Sequence, residues 1–275
     1  MRITQLALII ALTLSACHSE PNTAQADSSQ KITAPTNQVK LSSEIEWEQL
    51  NPARGDQSPK AGTVWGDRKG EVATGFLAEF VDGFSSPPHI HNVTYRAVVI
   101  SGLVHNDDPE AAKMWMPSGS FWTQPAGEAH ITAVKGTKNV AYVEIDSGPY
   151  LVQPIEEAHD NGERPINIDA TNIVWTSASE NGVKKAYLWG DPENKEVYGM
   201  FIKLPAGYAG EIKSDGSVFR AVIIQGEAKY SMPGKSEAMA LDPGSTFSSE
   251  GKSVHSISAP SESLIYIRTN GEIEN

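Results

Sequence analysis

The chain has 275 residues, 39% of them apolar and 20% charged, a composition that builds folded cores and a length that accommodates two domains of ordinary size. Its formal net charge of −12, without a local basic patch, repels phosphate backbones and argues against nucleic acid as a partner.

The chain opens on a short export-type segment. Arg2 supplies a positive start, Leu6 to Leu14 form an apolar stretch too short to span a bilayer, and Leu14, Ser15, Ala16 and Cys17 close it. That tetrapeptide resembles a bacterial lipobox. The resemblance implies a lipoprotein signal peptide over residues 1–17, cleaved before Cys17, whose thiol then carries a palmitate-type acyl chain. Two or three acyl chains, at about 0.8 kcal/mol per buried methylene, hold a protein at a membrane almost permanently. The expected location is the cell envelope, at the periplasmic face of the outer membrane in a Gram-negative cell, because no Asp follows Cys17 directly. Residues 18–44, rich in Ser, Thr, Asn, Gln, Pro and Ala, read as a flexible tether. Folded structure is expected from about Ile45.

From there the elements are short β-branched and aromatic runs bounded by Gly, Pro, Asp and Asn: TYRAVVI, NVAYVEI, VFRAVII and SLIYIR. Long helical periodicity is absent. The chain also repeats itself. At a constant shift of 124, Trp65-Gly66-Asp67 falls on Trp189-Gly190-Asp191, Gly83 on Gly207, Arg96 on Arg220 and Gly102 on Gly226; one further residue brings His130 onto His255. The reading is all-β: two barrels, over 45–150 and 173–275, with residues 151–172 as a connector.

The first copy carries the chemistry. Gly83 is followed after five residues by His89, then by His91, and Gly102 closes the element; Gly119 leads to Pro125, Gly127 and His130. Residues two apart on a strand share a face, so His89 and His91 both turn into one barrel, and His130 approaches from another strand. Three neutral imidazoles suit a divalent ion, Fe(II) or Zn first, with Mn, Ni or Cu also compatible. These spacings resemble the two motifs of the cupin superfamily, which implies tandem double-stranded β-helix (jelly-roll) barrels around a metal.

The sequence departs from that pattern at Tyr95, where the superfamily usually has a glutamate. Tyr95 keeps the inward parity of the histidines and is open to three roles: ligand, hydrogen-bond donor to a bound molecule, or packing. Glu128, beside His130, is a second catalytic candidate, as general base or as a group orienting a ligand. Trp115 and His105, absent from the second copy, are weaker candidates for a pocket wall and a further ligand. In the second copy the shift places Lys213 and Asp215 at the histidine positions and leaves His255 alone. Lys213 and Asp215 share a face there and either form an ion pair, with each other or with His255, or stand as two solvated strand-end charges, in a barrel that no longer holds metal.

The stretch from Pro87 to Ala133 resembles an uncharacterised family of bacterial bicupins, related to cupin-type anti-sigma domains and to three-histidine dioxygenases. The resemblance implies a double-stranded barrel with a bound metal and says little about substrate; a metal-dependent enzyme of dioxygenase or lyase type is the first reading, and the missing carboxylate, which leaves the ion more cationic, favours a small anionic substrate. The alternative is a lipoprotein that binds or senses a small ligand or the metal itself. A homodimer is compatible with either.

Overall fold

The computed structural model describes residues 35–177 and 181–275. Cys17, the expected signal and residues 18–34 of the expected tether lie outside them. No helix among the described residues is long and apolar enough to cross a membrane.

The four runs picked out above lie in the strands Tyr95–Asp107, Ile131–Ile145, Val218–Gln225 and Ser263–Thr269, and the fold is the all-β cupin jelly roll. In the first barrel one sheet runs in the order Ile166–Ile168, Phe121–Gln124, Tyr95–Asp107, Ile131–Ile145, Thr74–Phe80, Lys60–Trp65, Glu48–Gln49. Strands Tyr95–Asp107 and Ile131–Ile145, of 13 and 15 residues, pair twice along their length, with register shifts between Val99 and Leu103. Gly102 makes that irregularity possible. Its φ is +80°, and a Cβ there would lie 2.1 Å from the Asn139 amide oxygen. The second copy breaks at the matching Gly226, φ +75°, so its two walls are separate sheets of seven and five strands.

The repeat is visible in the contacts. The Trp65 indole donates to the Tyr142 hydroxyl at 3.1 Å, and Trp189 donates to Tyr266 at 2.8 Å, partners that are again 124 residues apart. From residue 35 onward the chain belongs to one compact unit. The barrels meet on one apolar cluster, with Val98, Phe121 and Tyr142 from the first and Phe201, Val222 and Tyr266 from the second. Arg96 lies 3.7 Å over the Trp189 ring and Arg220 lies 5.6 Å over Trp65. Such reciprocal contacts are those of a local two-fold relation.

The relation is broken at one pair. Glu144 and Arg268 are equivalent positions, yet they carry opposite charge and meet in the interface. The fully buried Glu144 carboxylate accepts from Tyr142 at 2.9 Å, Tyr266 at 2.7 Å and Arg268 at 3.3 Å, while Arg268 also bonds Asp146 at 2.7 Å. Two copies of either barrel alone would set like charges against each other in a dry interface.

The segments expected as tether and connector are partly built into the barrels. Gln38–Lys40 is a strand that pairs with Thr246–Ser248 of the second barrel, so folded structure begins before Ile45. Val152–Pro154 pairs with His89–His91, and Ile166–Ile168 pairs with Phe121–Gln124. Each covers a strand edge that would otherwise expose unpaired backbone groups.

Candidate metal centre

His89 and His91 stand on a three-residue strand, HIH, whose outer edge is covered by Val152–Pro154. His89 also exchanges both main-chain hydrogen bonds with His130, at 3.1 and 3.0 Å, which brings the third histidine in from a different strand. The three ring centroids lie 4.3 to 5.2 Å apart. One nitrogen from each ring lies within 4.8 Å of the other two, the only such metal-type cluster among the described residues.

The tautomers are set by the main chain. Nδ1 of His89 faces the Pro87 carbonyl at 2.9 Å, Nδ1 of His91 the Leu151 carbonyl at 2.9 Å, and Nδ1 of His130 the Glu128 carbonyl at 3.2 Å. Carbonyls only accept, so each Nδ1 carries the proton and each Nε2 keeps its lone pair. Burial pushes all three imidazoles below their ordinary range, His130 down to about 3, and in His91 and His130 neighbouring histidines add to the effect. The rings are therefore neutral at physiological pH, the form that binds metal. Three neutral nitrogens on separate, braced rings fit a divalent ion. Such an ion, when bound, supplies Lewis acidity and open positions for an oxygen ligand.

Tyr95 lies beside this cluster. Its hydroxyl donates to Asn106 Oδ1 at 2.9 Å and lies 3.5 Å from His130 Nε2. Asn106 accepts from Thr132 at 2.7 Å and donates to Gln124 at 2.9 Å; Gln124 donates in turn to the Glu128 carbonyl at 3.2 Å, the acceptor that also holds His130. Burial pushes the Tyr95 hydroxyl up to about 12. Glu128 touches the triad only through that carbonyl. Its side chain lines a pocket of about 400 Å³ with Asp160, Asn161 and Arg164 of the connector, where one carboxylate oxygen is buried without a partner and burial raises its pKa.

His105 and Trp115 stand apart from the cluster. Val104 and Asn106 on either side of His105 face the barrel interior, so His105 lies on the opposite face of the sheet, buried, with its ring 5.9 Å from Trp115. One group at the centre was not anticipated. Tyr150 stacks on His91, with centroids 4.4 Å apart and planes at 20°, and its hydroxyl lies 3.1 Å from His91 Nε2. It lies outside both motifs; its absence from the corresponding place in the second copy was the available signal.

The second barrel shows what happened to the duplicate, and it corrects the expected register. Ser85 pairs with Ala133 and Ala209 with Ser258, which keeps the shift of 124; but His89 pairs with His130, and the partner of His255 is Ile212, not Lys213. The first barrel carries one extra residue between Ser85 and His89. A one-residue slip moves every side chain to the other face. Ile212 and Ser214 therefore point inward, where both are buried. Lys213 faces solvent and pairs with Glu211 at 3.4 Å, and Asp215 accepts from the Glu272 main chain at 2.6 Å. Of the two readings, the ion pair of Lys213 with Asp215 or His255 does not form, and Lys213 stands as a solvated strand charge. His255 is instead enclosed by protein groups: Tyr230 at 2.7 Å and Asn37 at 3.2 Å on Nδ1, Ser249 at 3.1 Å and Ser253 at 3.3 Å on Nε2. Neither nitrogen is left for an ion.

Solved structures with this architecture come from several bacteria. A provisionally assigned dioxygenase from Nostoc punctiforme matches with a TM-score of 0.66 at 13% identity, over 86% of this chain and 82% of its own. An oxalate decarboxylase from Lactobacillus farciminis, solved as a formate complex, matches at 0.58 and 11%, over 86% of each chain. Salicylate 1,2-dioxygenase from Pseudoaminobacter salicylatoxidans, solved with gentisate, matches at 0.56 and 12%, over 87% and 85%. At such identities the likeness establishes the fold. No match was found among curated protein sequences. A family model described as a domain of unknown function, DUF4437, matches residues 38–275, and the chain belongs to that family.

Proposed function

We propose that this protein is an envelope-anchored, divalent-metal-dependent enzyme of dioxygenase or lyase type that acts on a small anionic substrate at His89, His91 and His130. One observation carries the reading: three Nε2 lone pairs converge while each Nδ1 is held by a different main-chain carbonyl. A carboxylate-free set of neutral ligands leaves the full charge of the ion uncompensated, which favours an anionic or enolate-like partner. The dioxygenase and decarboxylase neighbours share the fold that presents such a set.

The chain's own residues then have distinct tasks. The histidines hold the ion, and their carbonyl partners fix the rings. Tyr95, neutral and tied to Asn106, keeps a proton beside His130 and can pass it to, or share it with, a substrate oxygen. Glu128 positions His130 through its carbonyl; its carboxylate, raised by burial, is the candidate for proton exchange through the connector pocket. Acylation at Cys17 is part of the same proposal and places this chemistry at a membrane surface.

The test combines elemental analysis of protein prepared without a polyhistidine tag with dioxygen consumption by the iron-loaded form across β-dicarbonyls and thiols. Bound iron with substrate-dependent oxygen uptake is the expected result. Tightly bound zinc, with no turnover on any substrate, would favour the binding or sensing function. Membrane partition that is lost in Cys17→Ser checks the anchor.

A further inference from the structure

Tyr150 is the one polar group at the centre whose contact depends on the metal position. The chain places it where the last strand of the first barrel turns into the connector: its main-chain N–H donates to the Arg68 carbonyl at 3.1 Å, and its ring packs on Phe76 at 5.1 Å and stacks on His91 at 4.4 Å. The ring is thus fixed on two sides. Its hydroxyl then lies 3.1 Å from His91 Nε2, on the stacked face of the ring, while Nδ1 is committed to Leu151 and the in-plane Nε2 lone pair is left for an ion. Tyr95 differs in this respect, since its hydroxyl donates to Asn106 and keeps that acceptor whatever occupies the triad.

The second barrel supports a functional origin. There, Ile273–Glu274 pairs with Lys213–Ser214 as Val152–Pro154 pairs with His89–His91, and the residue two before the paired Ile273 is Gly271, where the first barrel has Tyr150 two before Val152. The barrel without the histidine pair has a glycine at that place, packed so closely on Gly216 that a Cβ would lie 2.0 Å from its nitrogen, so the aromatic ring is particular to the barrel with the triad.

We propose that Tyr150 is a ligand-contacting catalytic residue. With an ion on the His91 lone pair, the hydroxyl, which stands over the ring face beside Nε2, donates to an anionic oxygen of the molecule bound beside the triad. The ligand class is a small molecule presenting a carboxylate, enolate or hydroxamate oxygen. This inference rests on the triad being a metal centre.

The test uses the full chain loaded with Co(II) and acetohydroxamate as the oxygen-donor probe, followed by the visible cobalt spectrum. Tyr150→Phe keeps the ring and its stacking. It should bind cobalt as the parent does and lose about tenfold in acetohydroxamate affinity, the usual effect of removing a hydrogen bond to a charged oxygen. On the parent protein, the probe should also perturb the tyrosine ultraviolet spectrum, a signal that Tyr95→Phe retains and Tyr150→Phe lacks. Unchanged probe affinity in Tyr150→Phe with intact cobalt binding would overturn the role of Tyr150 alone. Cobalt binding that survives His91→Ala would overturn the triad reading instead.

Discussion

The two barrels share a fold, a tryptophan turn and an interface, and they differ in what fills the mouth. In the first, three histidines turn their free nitrogens toward one another and a tyrosine sits at each side. In the second, Ile212 and Ser214 replace two of the three, Phe219 stacks on His255 at 4.3 Å where the first copy has Tyr95, and Asn37 arrives from the N-terminal segment to close the set. The contrast separates architecture from chemistry. What both barrels keep serves the fold; what only the first keeps serves the site.

The largest effect that sharpens this contrast is on metal affinity. Replacing His91 or His130 by Ala should lower affinity for a divalent ion by at least about 100-fold in calorimetric titration, whereas His255→Ala should leave it unchanged. Equal losses from the two barrels would erase the distinction. The next concerns the interface. Arg268→Ala leaves the buried Glu144 carboxylate without its cation and should cost about 3–5 kcal/mol in denaturant unfolding, and the double variant Glu144→Leu/Arg268→Met should recover most of that loss.

A third effect appears in acid. Burial holds His255 down at about 4, below its unfolded value near 6.5, so between these pH values the unfolded chain binds the extra proton. The stability tied to neutral His255 is complete above pH ~6.5 and is lost as pH falls toward about 4, at up to about 1.4 kcal/mol per pH unit. His255→Phe should flatten that part of the stability profile relative to the parent, and a parallel profile would show that the ring is hydrated. The smallest effect is at the N-terminal segment. Asn37→Ala removes donors to Tyr230, the Val254 carbonyl and His255, and should lower stability by about 1 kcal/mol without touching metal affinity.

Much of this could be read from the residues. The histidine triad, the strands and the repeat are local patterns, and patterns of spacing survive in sequence. Lys213 and Asp215 show the limit: a constant shift cannot register a single extra residue between Ser85 and His89, and in a strand that one residue exchanges the inner face for the outer. Gln38–Lys40 has too little apolar content to announce itself; it becomes a strand because the edge at Thr246–Ser248 offers it hydrogen bonds. Tyr150 stood at the seam between barrel and connector, outside any motif. Its role follows from stacking on His91, a contact between residues 59 apart in the chain. Glu144 and Arg268 hold the same strand register, opposite Gly75 and Gly199, and only the packing of the barrels shows them facing each other.

The most direct test is the metal stoichiometry of the full, untagged chain. One divalent ion per chain, retained in His255→Ala and lost in His91→Ala, is the predicted result. Two ions per chain, or one that persists in His91→Ala, would contradict the assignment of the metal to the first barrel.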